Sequence, residues 1–369
     1  MQRTSSTTSD IFRRPRPRLF PTICLVISLA LWLTACGSTA SPGSATPQAS
    51  TPTATPTPTP AVPVISSALT TYKGHSGPVI DISWSPDSTR IASCGNDGTV
   101  QVWNAKTGKA LWNTAIGRYA FAVAWSPDGQ KVAGGASDGS VVILDAAHGK
   151  KLATYSHQVG FIEGIAWSPD GKYVASGDQD NTVDIWNVAT GKLQASYTAT
   201  AAVQRVAWSP DGKRIAAAVY DGTVQVLDAS TGKLQVTYKG NGAPVWSVAW
   251  SPDSKRVVSG TGAAGAAGPV TSGNTVKVWD AATGQTVLSY TAEGDQNEAY
   301  ALAWSPDGKY IASGGDAKVV HVWDAASGQT LWQYQGHSDI IFDVAWSPDG
   351  SLLASSSADG TVQVWKLQA

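Results

Sequence analysis

Apolar and polar residues alternate in short runs through most of this chain, and the runs recur. Val123-Ala124-Trp125 and Leu302-Ala303-Trp304 each end such a run. With a side-chain period of two, Trp and Val (or Leu) share one face of a strand and Ala takes the other. Both faces are therefore apolar, as in a sheet packed between two neighbours. Ser-Pro-Asp-Gly follows, with Pro, Asp and Gly where a tight turn needs them. A second strand comes next (Tyr310-Ile311-Ala312-Ser313), then Asp-Gly or a relative, then a Thr-Val-x-Val-Trp strand. Thr-Gly-Lys or Ser-Gly-Gln turns the chain into a last strand such as Leu193–Tyr197. Each unit predicts four strands.

The unit occurs seven times. Trp-Ser-Pro-Asp begins at Trp84, Trp125, Trp167, Trp208, Trp250, Trp304 and Trp346, in steps of 41, 42, 41, 42, 54 and 42 residues. A period near 42 predicts a propeller or array of blades. Seven units and the surplus of the long step fill Val64–Ala369, with no residues left for a second domain. The last unit stops at a third strand, Thr361–Leu367, whereas Ser67–Lys73 reads as a fourth strand lacking its first three. Joining the two completes the last blade and removes an open edge.

The pattern resembles the WD-repeat β-propeller family across Val64–Ala369. The naming dipeptide stands as Trp279-Asp280 and Trp323-Asp324. It is Trp103-Asn104, Trp186-Asn187 and Trp365-Lys366 elsewhere, and Leu144-Asp145 and Leu227-Asp228 in two units. The Gly-His that opens a family repeat is present as Gly74-His75 and Gly336-His337. The resemblance implies an all-β fold: a seven-bladed propeller of four-stranded antiparallel blades, closed by its N-terminal strand in the C-terminal blade. It also implies structural tetrads, complete in two units: His75, Ser93, Asp97 and Trp103, and His337, Ser355, Asp359 and Trp365. The other five blades are expected to rely on packing, chiefly of the seven repeated indoles, at roughly 4–6 kcal/mol gross each.

Turns after first and third strands fall on one face and are monotonous. Connections after second and fourth strands fall on the other and vary. In the resembled family the entry to the first strand rings the channel mouth on the partner-binding face. Here those positions give Phe121, Glu163, Gln204, Trp246, Tyr300 and Phe342, with Tyr119, Phe161 and Glu298 two residues earlier and Tyr220 from a neighbouring turn. Rim aromatics anchor a partner or a stacked ligand, or else plug the channel by packing on each other. Two long loops, Gly262–Gly273 and Ala292–Ala299, lie on the same face.

Ahead of the repeats stands a different kind of sequence. Arg3, Arg13, Arg14, Arg16 and Arg18 precede an apolar run from Leu19 to Leu33, which ends in Leu33-Thr34-Ala35-Cys36-Gly37. A basic segment, a short apolar segment and a small-residue cleavage site describe an export signal. The run falls short of the ~20 residues of a membrane span. Its end resembles the lipobox of bacterial lipoprotein signal peptides, which implies a signal over 1–35 and acylation of Cys36. An uncleaved signal anchor is the alternative. Residues 36–63 are rich in Ser, Thr and Pro, with too little apolar area to fold. They form a linker.

Composition narrows the function. Charged residues make up 14% of the chain and the net charge is −1. Without a basic field, nucleic acid is excluded as a partner on bulk electrostatics. Of three Cys, only Cys94 is left as a free thiol once 1–35 are removed and Cys36 is acylated. No metal, cofactor or catalytic residues are expected: no phosphate loop, nucleophile elbow or His-Glu-x-x-His is present, and His157 and His321 have no evident partners at ligand spacing. Glu293, Asp295 and Glu298 are the one acidic cluster a hydrolase could use. The expectation is a non-catalytic, exported, lipid-anchored scaffold on the outer face of the membrane, binding a protein or peptide on its variable face. A small-ligand or carbohydrate sensor using the aromatic rim is the alternative.

Overall fold

A computed structural model describes residues 62–262, 276–290 and 299–367. The leader, Cys36, the linker to residue 61, most of both long loops, and Glu293, Asp295 and Glu298 lie outside the described residues. Among the described residues every regular element is a strand. They form seven sheets.

Two short strands come first, β1 (Val64–Ile65) and β2 (Thr70–Tyr72). Blade 1 then follows as β3 (Val79–Trp84), β4 (Arg90–Gly95), β5 (Thr99–Asn104) and β6 (Ala110–Ala115). Neighbours pair antiparallel in chain order. The same unit starts again at Ala120, Ile162, Val203, Val245, Ala299 and Ile341, giving blades 2 to 7. First strands of successive blades pack against one another, and that of blade 7 packs against β3, so the ring closes.

Closure uses β2 as expected. It pairs antiparallel with the third strand of blade 7, Tyr72 opposite Val362. One element departs from the sequence pattern. β1 pairs parallel with the last strand of blade 6 (Thr330–Tyr334), so that blade has five strands, not four. A two-residue strand behind Pro63 offers no alternation to read, but Ile65 is buried among blade 6 and 7 residues and Gln335 N–H donates to its carbonyl (3.0 Å).

The core lies in the seams. Each apolar cluster joins two neighbouring blades; one, for example, gathers Tyr72, Val362 and Val364 with Val79, Trp84 and Trp103. Six of the seven repeated indoles are buried. Trp208 is only half-buried, so the expected count of seven is too high by one. Trp84, Trp167 and Trp250 donate Nε1–H to an Ala carbonyl of the preceding blade, at 3.1, 3.0 and 3.0 Å.

A second set of rings fastens the seams. Tyr72, Tyr155, Tyr238, Tyr290 and Tyr334, each in the outer strand of one blade, stack on Trp103, Trp186, Trp279, Trp323 and Trp365 of the next. Centroids stand 4.6–5.4 Å apart, a distance at which stacking adds about 0.5–1.5 kcal/mol beyond burial. Where Leu144 replaces the Trp, the preceding blade has Thr114 in place of the Tyr.

The turns explain their own monotony. In each Ser-Pro-Asp turn the Ser hydroxyl donates to the Asp, as Ser126 to Asp128 (2.6 Å), and accepts the N–H that starts the second strand, Lys131 (2.8 Å). The fourth turn residue is left-handed: Gly129, Gly171, Gly212, Gly308 and Gly350 supply it, while Ser88 and Ser254 adopt it at φ 58° and 59°.

Candidate functional site

Blade 1 holds the tetrad network in full. His75 Nδ1 donates to Asp97 Oδ2 (2.9 Å), and its Nε2 accepts from Ser93 Oγ (2.8 Å). Trp103 Nε1 donates to that hydroxyl (3.3 Å). The carboxylate fixes the tautomer. Burial pushes the Asp97 carboxyl up, but bonds from His75, Thr99 and Ser76 outweigh it and hold the group well below the usual carboxylate range. Blade 7 repeats the pattern at His337, Asp359 (2.9 Å) and Ser355 (2.8 Å). Its indole differs from expectation. Trp365 Nε1 finds no acceptor, and the ring is held by stacking on Tyr334.

Sequence reasoning missed two further networks. Gln158 and Asn241 stand 18 residues before Ser176 and Ser259, where His75 and His337 stand before theirs. Ser176 donates to Gln158 Oε1 (2.5 Å) and accepts from Trp186 Nε1 (3.1 Å). Ser259 donates to Asn241 Oδ1 (2.8 Å) and accepts from Trp279 Nε1 (3.2 Å). Blades 3 and 5 therefore do not rely on packing alone. His157, read as lacking a carboxylate partner, lies 2.7 Å from Asp184 Oδ2. That contact was invisible because Asp184 sits mid-strand, outside any motif. In the same blade Asp178 Oδ1 accepts from Thr182 N–H (2.8 Å).

The predicted rim forms at the start of the first strands. Phe121 stacks on Phe161 (5.4 Å) and touches Tyr119 (6.1 Å), making one arc across blades 2 and 3. Tyr220, Trp246, Tyr300 and Phe342 make a second arc from blade 4 to blade 7, with centroids 5.5–6.4 Å apart. Glu163 and Gln204 separate the arcs, and Gln179 Nε2 donates to Glu163 Oε1 (2.5 Å). The rings do pack on each other, yet most keep an open edge. Phe121 is 8% exposed and Phe161 39%; Tyr119, Tyr220, Trp246, Tyr300 and Phe342 are half-buried, and Gln204 is buried. Glu298 lies outside the described residues.

One residue deeper, the channel holds an ionic group that no motif announced. Arg205, on the first strand of blade 4, donates Nη1–H to Asp81 Oδ1 of blade 1 (2.7 Å) and Nη2–H to Asp343 Oδ1 of blade 7. The far oxygens accept backbone N–H groups: Asp81 Oδ2 from Val123 (2.7 Å) and Asp343 Oδ2 from Ile82 (3.3 Å). Ala122, Gly164, Ser247 and Ala301 fill the remaining places at this level. A Cβ on Gly164 would stand 2.7 Å from Val206 N and 2.8 Å from Arg205 Cα, so glycine here lets the first strands of blades 3 and 4 approach closely. Burial and the neighbouring Asp81 push the Asp343 carboxyl up against the pull of Arg205. Burial also raises the Cys94 thiol well above its ordinary value, which keeps it unreactive.

Among the described residues no three His, Cys, Asp or Glu gather to hold a metal ion.

Comparison with known proteins agrees with the architecture. The family model described as WD domain, G-beta repeat matches residues 66–104, 118–145, 149–187, 232–280 and 328–366. A second, described as anaphase-promoting complex subunit 4 WD40 domain, matches 196–253 and 270–346. Among curated proteins the chain is similar to ribosome biogenesis protein erb1 of Botryotinia fuckeliana, 46% identical over 48 residues, which are 13% of this chain and 6% of that protein. It is similar to eukaryotic translation initiation factor 3 subunit I of the same organism, 44% identical over 57 residues, 14% of this chain and 17% of that one. Protein HIRA of Zea mays is 42% identical over 40 residues, 11% and 4% of the two chains. The matched segments span less than a fifth of each of these relatives.

Proposed function

This chain belongs to the WD domain, G-beta repeat family, and we propose that it is a non-catalytic scaffold that binds a protein or peptide through the variable face of its propeller. The observation that carries the reading is the rim: two arcs of part-exposed aromatic rings around a closed channel mouth. Large rings with an apolar body and an accessible edge are the usual anchors of protein interfaces. Variable-face acids such as Asp97, Asp138, Glu163, Asp180, Asp221 and Asp359 surround them, which favours a basic partner surface. The relatives named above include a ribosome biogenesis protein and a translation initiation subunit, and proteins that work in assemblies support a scaffold over an enzyme.

The reading extends to location. The basic segment, short apolar run and Leu-Thr-Ala-Cys end support export and acylation at Cys36. The chain would then be held at the outer face of a membrane. Cys36→Ala should release it; a mutant that stays bound points to the apolar run as tether.

Trp246→Ala with Tyr300→Ala tests the rim. Loss of the captured partner with the melting temperature kept within a few degrees supports the proposal. Unchanged capture with lowered melting would show that the rings only pack. A glycan-array signal that vanishes in the same variant would favour the carbohydrate alternative.

A further inference from the structure

The basic residues of the turn face are unevenly spread. In the turns after first strands, lysines sit beside the aspartate of their own turn, as Lys172 with Asp170 (3.1 Å) and Lys309 with Asp307 (3.4 Å). The turns after third strands differ between blades. Asp145, Asp228, Asp280 and Asp324 cap four of them by accepting backbone N–H groups. Asn104 and Asn187 make the same bonds in blades 1 and 3, to Thr107 N–H (2.9 Å) and Thr190 N–H (3.0 Å). The amide preserves the turn and deletes the charge. In the third-strand turns of blades 1 to 3 five exposed lysines, Lys106, Lys109, Lys150, Lys151 and Lys192, therefore stand with one carboxylate, Asp145, while Asp87, Asp128 and Asp170 of the first-strand turns on the same face pair with Arg90, Lys131 and Lys172.

A second observation concerns β1. The last strand of blade 6 climbs from the turn face to the variable face, and β1 runs parallel to it. The N-terminal end of β1 thus points to the turn face. In a ring of seven, blade 6 stands across the channel from blades 2 and 3. The point where the tether joins and the lysine arc lie on opposite sides of one face.

We propose that the turn face of blades 1 to 3 docks on an anionic lipid surface and lays the propeller flat, with its aromatic rim turned outward. This rests on the membrane-anchored reading above. A disc held at one edge swings; a second attachment across the ring fixes which face meets the surface. Lysines lying within a Debye length, about 8 Å at physiological salt, are attracted to anionic headgroups. The acidic variable face is repelled from the same surface, so both faces favour one orientation.

Full-length protein reconstituted on vesicles tests this by amine-acylation footprinting read by mass spectrometry. On phosphatidylglycerol vesicles, labelling of the five lysines should fall at least threefold relative to phosphatidylcholine vesicles and recover in 0.5 M salt. Lys239 and Lys318, on the variable face, should be unchanged. Changing the five lysines to Glu should abolish the lipid-dependent difference seen at neighbouring turn-face amines such as Lys233. Equal labelling of the five on both lipids, or protection shared with Lys239 and Lys318, overturns the inference while leaving anchoring intact. Failure of the chain to stay on either vesicle overturns both.

Discussion

Asp97 and Arg205 show how single residues hold this molecule and how unequally the sequence disclosed them. Asp97 was readable because Gly74-His75 and the Ser93–Trp103 spacing match a family motif. Its carboxyl is depressed in the folded protein, so its stabilisation is present above the ordinary carboxylate range and is lost as pH falls from about 5 toward its folded value. Asp97→Asn should cost about 1–3 kcal/mol at pH 7, and the gap from wild type should have begun to narrow at pH 3 and shrink further in stronger acid; urea unfolding at both values checks it, and a gap that stays constant or widens on acidification contradicts the assignment. Gln158 and Asn241 were missed because neither residue type belongs to the motif, although the 18-residue spacing was there to be used. Arg205 was not legible at all. Its partners lie 124 and 138 residues away, and only ring closure brings them together. Arg205→Met strands two buried carboxylates and should cost about 3–5 kcal/mol at pH 7. Part of that loss should return at pH 4, where the carboxylates take up protons. A loss under ~1 kcal/mol in denaturant titration would mean the channel group contributes little.

Between elements, the seams are the unit of stability, and Tyr72 is their clearest case. It sits in β2, completes blade 7, stacks on Trp103 of blade 1 at 4.6 Å and donates its hydroxyl to Gln101 (2.6 Å). One side chain thus joins the last blade to the first. Tyr72→Ala should cost about 3–5 kcal/mol and lower the melting temperature more than Ile65→Ala, because β1 lies outside the closed ring. Equal effects in differential scanning calorimetry would mean that β1 shares the closing load. The sequence made β2 legible through the missing fourth strand of the last unit. It did not disclose β1, since a parallel two-residue pairing needs no periodicity. The outer-strand tyrosines recur in six blades without belonging to the quoted motif; the purpose of five appears only when each is seen against the next blade's indole, while Tyr197 packs toward Leu227 of blade 4.

For the whole molecule, the repeat count decides the architecture: a period near 42, taken seven times, fits a closed propeller. The same repetition separated a uniform face from a varied one, and the candidate rim residues that are described fall together on the varied face. What the repeat could not disclose is contact across the ring: which rim aromatics touch, and that a guanidinium spans the channel beneath them. Those contacts depend on closure, not on local pattern. The account's central claim is that recognition belongs to this varied face. The most direct measurement is quantitative mass spectrometry of what co-purifies with the intact protein, compared between Phe161→Ala with Trp246→Ala and the turn-face pair Lys106→Ala with Lys192→Ala. Recovery of a protein partner reduced at least tenfold by the rim pair and unchanged by the turn pair is the predicted result; equal recovery from both, or loss with the turn pair alone, would contradict it.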